Sequence, residues 1–387
     1  MVLQGGGPTP VLNASLYGVL DEARKHSQIN RVLGACYGVH GLLNGDVIDL
    51  TALSAATLQQ LRLTPGASLG STRHKPADAD MQRIIGTLAK HDVRLLLLIG
   101  GNGSLRGADA IARAADRSGY EISVIGVPKT IDNDIPSTDR CPGFGSAARY
   151  VAQAVRDLGM DVRGLPQPVS IFETMGRDVG WLAGASVLAK MDENHAPHLV
   201  YQPERAFVAD KFLASVDRCV TRLGWAVVVV SEGLKQANGQ PVYEAADTSQ
   251  RDALNRALPG GVGNYLAGLV TRELKIRCRS EKPGLCGRAS MLHVSKQDLA
   301  DAELVGRVGV QSAVAGHHAH MVSLLPLDSA ERTKRIPLEH AAGDRCIPEQ
   351  WLEDSDLGVN EGFLKYIGPI VGDLVDYLVP LRDSLKR

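Results

Sequence analysis

Residues 126–139 read GVPKTIDNDIPSTD and gather Asp132, Asp134 and Asp139 beside Lys129. Carboxylates held this close repel one another, so a loop with only a structural task gains little from collecting them. Phosphoryl transfer does gain. It needs a carboxylate to take the proton of an acceptor hydroxyl, a site for a cation, and positive charge around the moving group. The six residues KTIDND carry all three. In an extended loop Asp132 and Asp134 project to one side, so that one can face a hydroxyl while the other holds a metal. Capping of turns by Asp132, Asn133 and Asp134 is the structural alternative.

Two glycine loops add to the phosphate reading. Gly5, Gly6 and Gly7 precede a helical pattern that Pro10 can open, with Leu12, Leu16, Val19 and Leu20 on its apolar face. Gly100, Gly101 and Gly103 precede a second helix with Leu105, Ala108, Ala112 and Ala115 at helical spacing. Glycines let a phosphate reach backbone N–H groups, and a helix N-terminus favours its charge. Neither loop is GxxxxGK[ST], and GNGSLRG is one residue off GxGxxG, so each alone could equally be a tight strand-to-helix turn.

These loops need a scaffold that brings them together. Apolar runs such as 95–99 and 226–230 end in glycine-bearing loops and lead into helical patterns. So do ISVIGVPKTIDND and VSIFETMGRDVGWLAGASVLAK. Such alternation indicates a parallel α/β sheet, whose ligands bind beyond the carboxyl ends of the strands. Met175-Gly176-Arg177 and Ser231-Glu232-Gly233 fall at such ends. Beyond about residue 330 the pattern is less regular and reads as a mostly helical tail.

With 387 residues the chain is long enough for two compact units. Its net charge of −1 argues against a general polyanion binder, and its 4% aromatic content against stacking on single-stranded nucleic acid. Six cysteines without CxxC spacing read as reduced thiols. No run is long enough to span a bilayer and the start carries no signal-peptide pattern, so a cytoplasmic protein without membrane partner is expected. His317, His318 and His320 cluster in GHHAH but lack an acid or cysteine to complete a metal site, and Trp181 reads as core.

GGGPTPVLNASL, PGASLGSTRHKP, IGGNGS, GVPKTIDNDIPSTD, FETMGR and SEG occur here in one order. In that order and spacing the chain resembles the phosphofructokinase A family over nearly its whole length. It is most similar to the short pyrophosphate-dependent members, which read PKTIDND where ATP users read PGTIDND. The resemblance implies two Rossmann-like three-layer α/β/α domains with largely parallel sheets, plus a C-terminal helical extension. The expected division is a phosphoryl-donor domain at 1–138, a sugar-phosphate domain at 139–330 with the chain crossing back to the first, and an extension at 331–387.

It also implies roles. Asp132 is the base for the 1-hydroxyl of fructose 6-phosphate, Thr130 contacts the moving phosphoryl, and Asp134 with Asn102 serves Mg²⁺. Lys129 binds pyrophosphate, and Arg73 bridges donor and acceptor phosphates. Gly7, Gly103, Ser104 and Gly107 line the donor site. Met175, Gly176, Arg177 and Glu232 hold the sugar, and Arg279 and Arg288 clamp its 6-phosphate. The partners implied are pyrophosphate (or ATP) and a sugar phosphate, in a homo-oligomer, dimer or tetramer.

The chain departs from the family pattern in places. Asn102 and Gly103 leave the second glycine loop without a carboxylate, and Gly103 matches ATP users although Lys129 matches pyrophosphate users. Pro168 replaces an arginine that reaches a neighbouring subunit's sugar phosphate, and Gly287 replaces the glutamine before Arg288. An ATP-dependent enzyme, a kinase of another sugar phosphate or polyol, and a weakly active binding or regulatory homologue are the rival readings.

Overall fold

The apolar runs form strands buried on both faces. In the computed structural model, which describes residues 1–166, 168–244, 260–378 and 381, the strands in chain order are β1 (Val2–Gln4), β2 (Leu33–Ala35), β3 (Val47–Asp49), β4 (Leu95–Gly100), β5 (Ser123–Pro128), β6 (Val169–Thr174), β7 (Leu199–Tyr201), β8 (Ala226–Ser231), β9 (Cys278–Glu281), β10 (His320–Leu324) and β11 (Thr333–Pro337). They divide between two compact units, Met1–Ala147 with Arg288–Arg345, and Ala148–Gly287 with Cys346–Arg387.

The first unit holds a seven-stranded sheet in the order β11-β10-β5-β4-β1-β2-β3. Its inner pairs are parallel, and only β2–β3 and β10–β11 at the two edges are antiparallel. The pleat of β4 sends Leu96 and Leu98 to one core and Leu97 and Ile99 to the other. On the first face they meet Leu105, Ala108 and Ala112 of the helix Asn102–Ser118. On the second they meet Leu12, Leu16 and Leu20 of the helix Leu12–Ala23, and Val305 and Val310 of the helix Lys296–Val314. Helices on both faces are what a wholly apolar parallel strand requires.

The second unit holds a parallel four-stranded sheet, β7-β8-β6-β9. Val169, Ile171, Val228 and Val230 pack with Phe212 and Val216 of the helix Ala209–Leu223 and with Leu266 and Val270 of the helix Val262–Leu274. Trp181 is fully buried, as expected of core, with its ring 6.0 Å from Phe363 and 5.6 Å from Tyr366.

The units are drawn differently from the sequence expectation. The first runs to Ala147 rather than 138, and the stretch that returns to it is Arg288–Arg345. The expected extension at 331–387 is not a separate body. Its first part includes β11, which pairs antiparallel with β10 and closes an edge of the seven-stranded sheet. Its later part carries the helix Glu361–Val371, whose Phe363 packs on Trp181. Residues 379, 380 and 382–387 of the tail lie outside the described residues. Short pieces such as TKRIP have no strong period of their own, so pairing partners decide their state.

Candidate active site

Three loops follow the carboxyl ends of β1, β4 and β5, which are neighbours in the seven-stranded sheet, β5-β4-β1. Gly5 donates its N–H to Ile99 O (2.9 Å), Gly6 donates to Thr72 O (2.9 Å), and Lys129 donates to Gly100 O (3.0 Å). Ser104, in the first turn of the helix Asn102–Ser118, wedges between Gly5 and Gly100. A methyl group on either glycine would collide with it. The glycines here thus serve close packing of the loops around Ser104 as well as access to the backbone.

Lys129 is 2% exposed. Its ammonium donates to Gly7 O at 2.6 Å. Burial lowers its pKa to about 8, the neighbouring Arg288 adds to this, and Asp132 and Asp134 oppose it. Arg288 lies over the first glycine loop, since a methyl on Gly7 would sit 3.1 Å from its Nη1. Burial lowers the pKa of Arg288, with Arg73 contributing and Asp132 opposing. Arg73, Lys129 and Arg288 therefore share one electrostatic neighbourhood with the two aspartates.

The acidic loop is a turn and not the extended segment expected. Asn133 has φ 56 and is fully buried. Its side-chain oxygen accepts the Cys141 N–H (3.0 Å) and its carbonyl accepts from Arg345 Nη1 (3.2 Å). The left-handed residue between them gives Asp132 and Asp134 different settings, because alternation along an extended chain no longer applies. Asp132 N donates to Thr130 Oγ1 at 3.1 Å. Asp134 Oδ2 accepts from Asn102 Nδ2 at 2.9 Å. Burial raises the pKa of Asp134, and Asp344 adds to the rise. The buried Oδ1 atoms of Asp134 and Asn102 have no hydrogen-bond partner.

Asp139 takes no part in this group. It pairs with Arg140 (3.2 Å), whose guanidinium also makes a bidentate pair with the buried Asp301 at 2.6 and 2.9 Å. Three acids in sequence are two acids in the site. Removing one partner of a buried pair such as Arg140–Asp301 costs about 3–5 kcal/mol, which marks Arg140 and Asp301 as structural.

In the second unit, β6 delivers Met175, Gly176 and Arg177 and β8 delivers Glu232. Gly176 has φ 124, and its carbonyl accepts from the Ser231 hydroxyl. Gly233 lies against the Arg177 carbonyl, where any side chain would collide. Glu232 N donates to Thr174 O at 2.9 Å. Burial raises the pKa of Glu232, Lys282 opposes the rise and Glu173 adds to it.

Arg279 is not brought to this edge. It is exposed on β9 opposite Ser170, four positions before the end of β6, about 13 Å at ~3.3 Å per residue. Arg288 belongs to the first unit and Arg279 to the second, so the two arginines expected to clamp one phosphate lie in different compact units.

Sequence reasoning missed Glu173, Lys282 and Arg345. Glu173 is 2% exposed, accepts backbone N–H groups from Gly261 and Gly263 (2.8 Å for the latter), and pairs with Lys282 at 3.0 Å. A carboxylate inside the apolar strand VSIFET was the available signal. Arg345 N donates to Asp134 O at 2.8 Å, a link no local pattern announces. Among the described residues no group of three or more His, Cys, Asp or Glu is disposed to hold a metal. In the histidine cluster, His318 Nδ1 accepts from Val124 N at 3.3 Å. All six cysteines are free thiols, and no helix of the described residues is long and apolar enough to cross a membrane.

Two mainly parallel sheets with glycine loops, a buried lysine beside two arginines, and a turn of two carboxylates at the strand ends define a phosphoryl-transfer scaffold. The family description "Phosphofructokinase" matches residues 1–302. Pyrophosphate–fructose 6-phosphate 1-phosphotransferase of Xanthomonas campestris is 38% identical over 380 residues, covering 95% of this chain and 90% of that one. Sulfofructose kinase of Alkalicoccus urumqiensis is 34% identical over 359 residues, covering 91% of each. The crystal structure of a pyrophosphate-dependent phosphofructokinase from Marinobacter aquaeolei matches with TM-score 0.86 and 33% identity, covering 98% of this chain and 93% of that one. The chain belongs to the phosphofructokinase family and is a phosphotransferase.

Proposed function

We propose that the enzyme transfers a phosphoryl group from pyrophosphate to the 1-hydroxyl of fructose 6-phosphate, giving fructose 1,6-bisphosphate and orthophosphate. The observation that carries the donor choice is Lys129, buried against Gly7 O with Arg288 over the same loop. Together they supply compact positive charge suited to a small polyanion.

Asp132 takes the proton of the 1-hydroxyl as its oxygen bonds to one phosphorus of pyrophosphate. The bridging P–O bond breaks and orthophosphate leaves. Lys129, Arg73 and Arg288 compensate the charge carried by the phosphoryl oxygens, and Thr130 contacts the group in transit. Met175, Gly176, Arg177 and Glu232 orient the sugar. Arg279 is assigned to its 6-phosphate, and exposure on an edge strand fits a homo-oligomer in which a second copy supplies it.

The orphaned Oδ1 atoms of Asp134 and Asn102 fit Mg²⁺, which commonly takes one or two protein oxygens and fills its shell with water and phosphate. When bound there, Mg²⁺ neutralises charge on the pyrophosphate oxygens.

A sugar with a different anion at carbon 6 is the second reading. It is favoured by Lys282, the cation acting on Glu232, and by the similarity to a sulfofructose kinase. Steady-state rates with pyrophosphate and ATP, each against fructose 6-phosphate and 6-deoxy-6-sulfofructose, test both. The pyrophosphate and fructose 6-phosphate pair should give the highest kcat/KM. A higher value for any other pair overturns the assignment.

A further inference from the structure

Gly103 and Gly107 offer a side-chain-free stripe on the first turns of their helix, and in sequence nothing blocks a nucleotide there. In the structure the stripe is covered. A methyl on Gly107 would lie 3.5 Å from Pro76 Cδ, and one on Gly103 would lie 3.7 Å from Lys75 Cε. Those are ordinary van der Waals separations, so a methyl fits at either glycine, and Lys75 and Pro76 stand one atomic contact beyond it. A cavity of about 20 Å³ lies between this segment, the end of β4 and the glycine loop.

The covering segment is held at both ends. Thr72 O accepts from Gly6 N at 2.9 Å, and Thr72 Oγ1 accepts from His74 N at 3.0 Å. Beyond it, Asp80 Oδ2 accepts the Ala77 N–H at 2.9 Å and lies 3.3 Å from His74 Nε2. Asp80 sits in the first turn of the helix Asp78–Lys90, so one carboxylate closes the helix start and fastens the segment. His74 also meets the ring of His40 at 5.1 Å.

We propose that Lys75 and Pro76, fastened through His74 and Asp80, are the determinants that exclude a nucleoside from the donor site. Small residues at 103 and 107 would admit one, and the pinned segment removes the room. Exclusion by occupied volume discriminates without weakening the smaller donor, because pyrophosphate needs only the loop N–H groups and the cations. The inference rests on the donor reading above.

The test uses the full chain, with Lys75→Ala combined with Pro76→Ala as one variant and Asp80→Ala as another. Calorimetric ADP binding and kcat/KM for both donors are measured on each, with Tm to establish folding. ADP binding should be absent in wild type and appear in at least one variant. There kcat/KM for ATP should rise about tenfold or more while that for pyrophosphate stays within about threefold. ADP binding by wild type, or folded variants that neither bind ADP nor gain ATP turnover, would overturn the proposal. Absence of pyrophosphate turnover in wild type strikes the donor reading alone, because the ADP arm still reports whether the segment closes the site.

Discussion

At the carboxyl edge of the seven-stranded sheet, Lys129 is buried against Gly7 O, and Asp134 is fixed by Asn102 and by Arg345. At the corresponding edge of the four-stranded sheet, Arg177 is half-buried and Arg279 is exposed on β9, away from the strand end. The first edge is crowded with compensated charge in a small space. The second relies on glycines that let backbone segments touch, as Gly233 does beneath the Arg177 carbonyl. A crowded, desolvated edge makes strong electrostatic contacts and tolerates little change in ligand size. An open edge with side chains on separate strands admits related ligands. In the proposed reading, donor identity is the property fixed at the crowded edge, and acceptor identity is the more adjustable one.

The comparison can be broken most sharply at Asp132. Asp132→Asn should lower kcat by about 10²–10⁴-fold while leaving the KM of both substrates near wild type, the usual worth of a general base. A near wild-type kcat would remove the base from the crowded edge. Next come the two arginines. Arg288→Ala should raise the KM for pyrophosphate about 10- to 150-fold, as expected for a charge-assisted contact of about 1.5–3 kcal/mol. Arg279→Ala should act on the sugar KM instead. Equal effects of both variants on the sugar, with pyrophosphate untouched, would return Arg288 to the acceptor side.

The smallest effect is in the pH profile. Lys129 is charged below its lowered pKa of about 8 and neutral above it. Pyrophosphate binding therefore weakens as pH rises, and log kcat/KM for pyrophosphate should fall above about pH 8, roughly tenfold per unit. Lys129→Met should start lower and lack that limb. A wild-type profile flat to pH 10 would show that the ammonium is not the group in use.

Much of the scaffold was legible along the chain. Apolar runs of five or six residues, broken by glycine loops and followed by helical spacing, have few ways to be buried other than a parallel sheet between helices. Leu105, Ala108, Ala112 and Ala115, read as one helix face, are buried as read. The extension at 331–387 was misread because short polar-apolar pieces take their state from partners distant in sequence. Residues 333–337 form a strand by pairing with β10, and Phe363 is core by packing with Trp181 and Trp351.

The sequence by itself determined which residue types stand at the strand ends: the glycines, Lys129, Asp132, Asp134, Arg177 and Glu232. Order along a βα chain already commits such residues to one edge of their sheet. Only the tertiary structure decided how they are used. It turned Asn133 into a left-handed pivot held by Cys141 N and Arg345, and it bound Arg140, beside Asp139, to the distant Asp301. It also carried Arg288 to Gly7 and laid Pro76 over Gly107. Each of these is a contact between segments whose separation along the chain carries no periodic or compositional mark. Burial and hydrogen-bond satisfaction select such contacts only once the chain has folded.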